Sequence, residues 1–239
     1  MGLGAKLTNL HFILTSLFSR SMPLFALEKE LIFPPGHLAE PDGLLAVGGD
    51  LSPERLLLAY PNGIFPWYEG KHILWWCPDP RFVLFPDELK VSKSMQQLLK
   101  KNAFEFTVNK AFAKVIENCK TVFRPGQEGT WITDTVKDAF IKMHELGHAH
   151  SAEVWKDGEL VGGCYGIKMG KVYFGESMFS KVSNASKYAF ISYAELLKKE
   201  GIELIDCQVY TAHLESLGAR MISRKEFLAL LKNLIPGNN

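Results

Sequence analysis

Glu176 stands in the middle of an apolar run, Leu160–Ser180, which reads LVGGCYGIKMGKVYFGESMFS. Burying a lone carboxylate is costly unless a cation or hydrogen-bond donors meet it. Gly175 just before it leaves room for another backbone or a ligand to come close. Glu176 is therefore expected to face a cleft and to meet a positive group there. The plainer alternative is a salt bridge to a neighbouring arginine, since structural pairs also place carboxylates on strands. Asp206 has a similar apolar setting in Ile202–Gln208, IELIDCQ. The two carboxyl groups are expected to share one cleft, with Gln208 two residues on along the same strand face. Such a pair can hold a cation or move a proton.

Composition narrows the partners. A formal charge of +1 over 239 residues gives no global field for nucleic acid, so a local patch must supply any such binding. Ser92 heads a helix with Met95, Leu98 and Leu99 inward and Lys93, Lys100 and Lys101 on its other faces. Asn109 is expected to cap a second helix, with Phe112, Val115, Ile116 and Cys119 inward and Lys110, Lys114 and Lys120 outward; Arg124 lies just beyond. Two neighbouring basic helices suit phosphates; a merely solvated face is the alternative. Cys77, Cys119, Cys164 and Cys207 are scattered with no C-x-x-C pair, which fits neither zinc nor a disulfide framework and points to a reducing cytoplasm. His144, His148 and His150 lie in HELGHAH. No metal site is expected there, because Gly147 breaks the helix and a catalytic zinc needs about three ligands. No run reaches the roughly 18 apolar residues of a membrane span. Residues 1–22, with LHFILTSLF at Leu10–Phe18, read as a loosely ordered extension before Met22; an export signal is the alternative.

These groups need elements to position them. Gly43–Asp50 is a short strand, and Ser52-Pro53 opens a helix that stops at Pro61-Asn62-Gly63. Ile64–Tyr68 and Ile73–Arg81 carry Trp67, Trp75 and Trp76, and their prolines exclude helix. They form either a core corner or an aromatic-walled pocket. Phe104–Val108 alternates like a strand. Thr133 caps a helix with Val136, Phe140 and Met143 buried. His150–Lys156, the turn Asp157-Gly158, Leu160–Met169 and Lys171–Phe179 make a three-strand meander. A helix over Lys187–Glu200, strands at Ile202–Gln208 and Ala219–Ser223, and a helix capped by Ser223 complete the chain. The sum is α+β, a mixed sheet with helices on its faces. A meander followed by helix and strand resembles the acetyltransferase (GNAT) fold. The turn that cradles the coenzyme pyrophosphate in that superfamily, Q/R-x-x-G-x-G/A, is missing: SKVSNAS has no glycine. An acetyl-CoA enzyme is thereby disfavoured, and no cofactor is expected.

Several stretches together are more specific. GLLAVGGDLSPERLLLAYPNGIFPWY, WWCPDPR, GTWI, HELGHAHSAEVW, LVGGCYG, FGESMFS, NASK and IDCQVYTAHLESLGA follow in order between Ile32 and Phe227. In this the chain resembles the leucyl/phenylalanyl-tRNA–protein transferase family. The resemblance implies a small N-terminal α/β domain, residues 23–80, and a GNAT-like aminoacyl-transfer domain, residues 81–239. It implies an enzyme that moves Leu or Phe, less well Met, from the acceptor 3′ end of aminoacyl-tRNA; a monomer in the cytoplasm is expected. The receiving group would be the α-amine of proteins beginning with Arg or Lys, which marks them for N-end-rule degradation.

The implied reaction assigns roles. Phe174, Phe179, Met178 and Cys164, with Ser177 beside them, are candidates for an apolar hole that takes the amino-acid side chain. Trp67 and Trp131 are candidates to stack the 3′ adenosine, and by resemblance they join Tyr60 at the aminoacyl-adenosine end. Phe140 stands where the family often has Tyr, and is kept only as a pocket wall; Cys77 stands where it usually has Ser. Glu176 would meet the acceptor's cationic end. Asp206 would orient or deprotonate the amine, directly or through Gln208. Lys93, Lys100 and Lys101 would take tRNA phosphates. The competing readings are an acetyl-CoA acyltransferase and a tRNA-binding module without catalysis.

Overall fold

The computed structural model describes residues 24–122 and 130–237; the expectations for residues 1–22 and for Arg124 lie outside them. The first part of the chain builds β1 (Phe25–Leu27), β2 (Leu44–Gly48), α1 (Pro53–Ala59), β3 (Phe65–Pro66) and β4 (Leu74–Trp76). Its strands form a four-stranded sheet in the order β1-β2-β4-β3. There follow β5 (Arg81–Leu84), α2 (Lys93–Lys100), β6 (Glu105–Val108), α3 (Phe112–Thr121) and α4 (Asp134–Glu145). Then come β7 (Ala149–Lys156), β8 (Glu159–Met169), β9 (Val172–Ser180) and α5 (Ala185–Lys199). The chain ends in β10 (Leu204–Gln208), α6 (Ala212–Glu215), β11 (Arg220–Ile222) and α7 (Arg224–Leu234). The second sheet has seven strands in the order β11-β5-β10-β9-β8-β7-β6. The fold is α+β, with the meander, helix and parallel strand in the acetyltransferase-like order.

Local chemistry sets the helix starts. The hydroxyls of Ser52, Ser92, Thr133 and Ser223 accept the backbone N–H of Arg55, Met95, Val136 and Glu226, which satisfies otherwise orphaned donors. Asn109 does not cap α3 as expected. It sits at φ +57, and its side-chain carbonyl accepts the Ser151 N–H at 2.9 Å. The backbone entering α3 is held by buried Glu153, whose carboxylate accepts the N–H groups of Lys110 and Ala111 and the hydroxyls of Thr107 and Ser151.

The two faces of the large sheet carry separate cores. One includes Phe112, Phe140, Phe174 and Phe179 and runs into the small sheet through Phe65 and Trp75. The other includes Phe82, Tyr173, Tyr188 and Leu197 under α5. A Cβ on Gly162 of β8 would stand 2.7 Å from the Ala185 Cβ, so a glycine there lets α5 seat directly on the sheet.

The sheet opens at one place. β9 and β10 pair in parallel only over Val172–Phe174 and Leu204–Asp206. Beyond that, β9 continues to Ser180 against β8. β10 turns aside at a bulge between Asp206 and Gln208, where Gln208 takes φ +62. Gly175 to Ser180 and the bulge therefore face each other across a gap.

Candidate active site

A cavity of about 570 Å³ fills that gap. Phe65, Trp131 and Phe179 line it from the core beneath one sheet face, with Trp67 beside them. Cys164, Tyr173, Phe190, Ile205 and Leu214 line it from the core beneath the other. Glu176, Asp206 and Gln208 also line it, so the two carboxyl groups share one cleft as expected.

Arg81, on β5, ties this site together. Its Nε and Nη2 donate to Asp206 Oδ1 and Oδ2 at 2.8 and 2.6 Å. Its Nη1 donates to the Gly63 carbonyl at 3.1 Å. The guanidinium lies 4.6 Å from both the Phe65 and the Phe227 ring centroids. Both partners are sealed from solvent, at 1% and 0% side-chain exposure. Asp206 Oδ1 also accepts the Gln208 backbone N–H at 2.9 Å, which holds Gln208 in its left-handed conformation. Gln208 Nε2 then donates to Glu176 Oε1 at 2.9 Å, and the Tyr60 hydroxyl donates to the same oxygen at 2.8 Å.

This corrects two expectations. Glu176 meets neutral donors, Tyr60 and Gln208; the arginine is bound by Asp206 instead. Gln208 reaches the site through a bulge, not by strand alternation. With both oxygens accepting from Arg81, Asp206 suits the positioning of Gln208 better than proton abstraction. Burial pushes the Glu176 carboxyl up to about 8, the Tyr60 hydrogen bond opposes that rise, and the Asp206 charge adds to it.

The remaining candidates divide. Cys164, Ser177, Met178, Phe179, Trp67 and Trp131 line the cavity. Trp67 is 40% exposed, with its ring 5.8 Å from that of Trp76. Tyr60 is fully buried and does not line the cavity; it meets the site only through its hydroxyl's bond to Glu176, and Phe174 packs beside it with ring centroids 5.2 Å apart. Phe174 and Phe140 do not line the cavity; Phe140 packs against Tyr165 at 5.4 Å in the core. Lys93 and Lys100 are exposed on α2, and Lys101 is exposed just past its end. On α3, Lys120 is paired with Asp134 at 2.7 Å, and nearby Lys110 with Glu105 at 3.6 Å, which weakens the second basic surface. Sequence reasoning missed Tyr173, Phe190 and Ile205 on the cavity wall, and missed Arg81. Arg81 closes the WWCPDPR stretch and was the nearest signal for the cation a buried carboxylate demands.

His144 Nδ1 donates to the Ala149 carbonyl at 2.8 Å and its ring stacks on Phe112 at 4.3 Å. Among the described residues no cluster of His, Cys, Asp and Glu suits a metal ion. Among them, too, no helix is long and apolar enough to cross a membrane.

The split sheet and its carboxyl-bearing cleft define an α+β protein with a central binding cavity. A family model described as leucyl/phenylalanyl-tRNA protein transferase matches residues 83–232, and one for that family's N-terminal domain matches residues 49–79. The chain is 58% identical over 216 residues to the leucyl/phenylalanyl-tRNA–protein transferase of Syntrophobacter fumaroxidans, covering 90% of this chain and 92% of that one. It is 58% identical over 211 residues to the enzyme of the same name from Flavobacterium johnsoniae, covering 88% and 100%. The chain belongs to the leucyl/phenylalanyl-tRNA–protein transferase family and is an aminoacyltransferase. Among solved structures, L-PGS from Bacillus licheniformis is a distant likeness, with TM-score 0.42 and 13% identity over 80% of this chain and 72% of that one.

The raised Glu176 carboxyl makes stability depend on pH. Its ordinary value is 4.5 and its folded value about 8. Between those values the folded state keeps a proton that the unfolded state releases, so stability is full below the lower value and falls as pH rises through the upper. Glu176→Gln mimics the neutral acid and removes this slope. Melting temperatures measured from about pH 5 to about pH 9 are expected to fall more steeply for the wild type than for the variant. Parallel curves would contradict the assignment.

Proposed function

We propose that this enzyme moves Leu or Phe, and less well Met, from aminoacyl-tRNA to the α-amine of proteins beginning with Arg or Lys. It does so as a cytoplasmic monomer and marks them for N-end-rule degradation. Residues 23–80 act as the N-terminal domain and residues 81–239 as the aminoacyl-transfer domain. The observation that carries the reading is a buried carboxyl, Glu176, that has neutral donors and, among the described residues, no cation in contact, set in an aromatic-walled cleft. An arriving Arg or Lys end supplies that cation.

The amine nitrogen attacks the ester carbonyl carbon, the bond to the ribose 3′ oxygen breaks, and the amine's proton ends on the ribose hydroxyl. An α-amine titrates at roughly 7.7–8.0, so some is already neutral near pH 7. The ester is already activated, and the protein's main contribution is position. Gln208 and Glu176 orient the amine, Asp206 fixes Gln208, and Tyr60 fixes Glu176. Trp67 and Trp131 stack the adenosine, worth roughly 1–3 kcal/mol per base. Cys164, Tyr173, Phe190 and Ile205, with Met178, form the hole for the side chain. Such a hole separates one methylene by only about 1–3 kcal/mol, and a Met on its wall adapts to several shapes. Lys93, Lys100 and Lys101 hold tRNA phosphates.

Leucyl-tRNA and an Arg-initiated peptide, incubated with the enzyme, are expected to give a product heavier by one leucine residue in mass spectrometry. An unchanged peptide would defeat this reading, and an acetyl increment from acetyl-CoA would favour the competing one. Lys93→Ala with Lys100→Ala is expected to weaken tRNA binding for every sequence and to flatten its log–log salt slope by about 2. An unchanged slope would move the RNA-binding surface elsewhere.

A further inference from the structure

Two macromolecules must meet in this cleft, and the acceptor polypeptide has to leave it as an extended chain. The residues immediately after Gln208 are apolar and exposed, Val209 at 41% and Tyr210 at 50%. Val209 lines the cavity. Tyr210 is fixed: its ring lies 5.4 Å from that of Phe82, and its hydroxyl donates to Glu215 Oε2 at 2.8 Å. Met221, 43% exposed, sits on the edge strand β11 directly opposite Phe82, so the two side chains share a sheet face.

Val209, Tyr210 and Met221 thus mark an apolar track from the cavity to the edge of the sheet, with Phe82 in contact with Tyr210 and opposite Met221. The charges beside it are engaged: Arg220 is paired with Glu88 at 3.0 Å, and Glu215 holds Tyr210. Phe82 belongs to the core on the α5 side, whereas Trp131 belongs to the core on the other. The track therefore leads away from the aromatic wall suited to adenosine. Exposed apolar side chains grouped beside a binding cavity suit contact with an apolar partner.

We propose that this track seats the second and third residues of the acceptor polypeptide and favours apolar side chains there. The proposal rests on the acceptor reading above, and deepens it from the terminal residue to those that follow.

The test compares two peptides that share an N-terminal Arg and differ at positions two and three, Leu-Leu in one and Asp-Asp in the other. With leucyl-tRNA, the wild type is expected to show a KM roughly tenfold lower for the Leu-Leu peptide. In Tyr210→Ser with Met221→Ser, the ratio of the two KM values is expected to collapse toward one. Equal KM values in the wild type, or an unchanged ratio in the variant, would overturn the track while leaving the acceptor reading intact. Absence of transfer to either peptide overturns both. A concentration-dependent dimer that the double variant abolishes would assign the track to a second copy of the chain and so overturn the proposal.

Discussion

The ion pair between Arg81 and Asp206 is the constraint on which the site depends. Two charges removed from water pay a desolvation penalty that only good geometry offsets. Here the guanidinium meets the carboxylate with two nitrogens, gives a third to a backbone carbonyl, and has an aromatic ring within reach on each side. Those partners come from different parts of the molecule. Gly63 and Phe65 belong to the N-terminal part, β5 and β10 to the large sheet, and Phe227 to α7. The pair is at once a joint between the two sheets and the anchor for the bulge that aims Gln208.

The two carboxyl groups of the cleft have unlike surroundings, and unlike surroundings give unlike chemistry. Asp206 is bound by a guanidinium and serves as a fixed acceptor. Glu176 is bound by a phenol and an amide, and burial raises its carboxyl into the neutral range. A cation entering the cleft therefore finds a carboxyl group that no cation among the described residues contacts. The gap between β9 and β10 supplies the space, because the two strands pair over three residues each and then part.

Much of this was legible in the sequence. Ser52, Ser92, Thr133 and Ser223 each signalled a helix start, and the Asp157-Gly158 turn signalled the meander. Glu176 and Asp206 were expected in one cleft because each interrupts an apolar strand. What stayed hidden depends on contacts far apart in the chain. Arg81 and Asp206 are separated by 125 positions, and no local pattern assigns one to the other. The bulge that turns Gln208 reflects the end of β10 pairing, which strand periodicity cannot anticipate. Phe140 and Phe174 are apolar like their neighbours, and periodicity alone does not say which apolar residue walls a cavity and which fills the core behind it.

The account stands most directly on what happens when the pair is replaced as a unit. Arg81→Met with Asp206→Leu exchanges two buried charges for apolar groups of similar volume, which proteins can tolerate without loss of fold. The cooperative unfolding transition should survive, while leucyl transfer to an Arg-initiated peptide should fall by about a hundredfold or more because Gln208 and Glu176 lose their alignment. A folded double variant that transfers leucine at the wild-type rate would contradict the account.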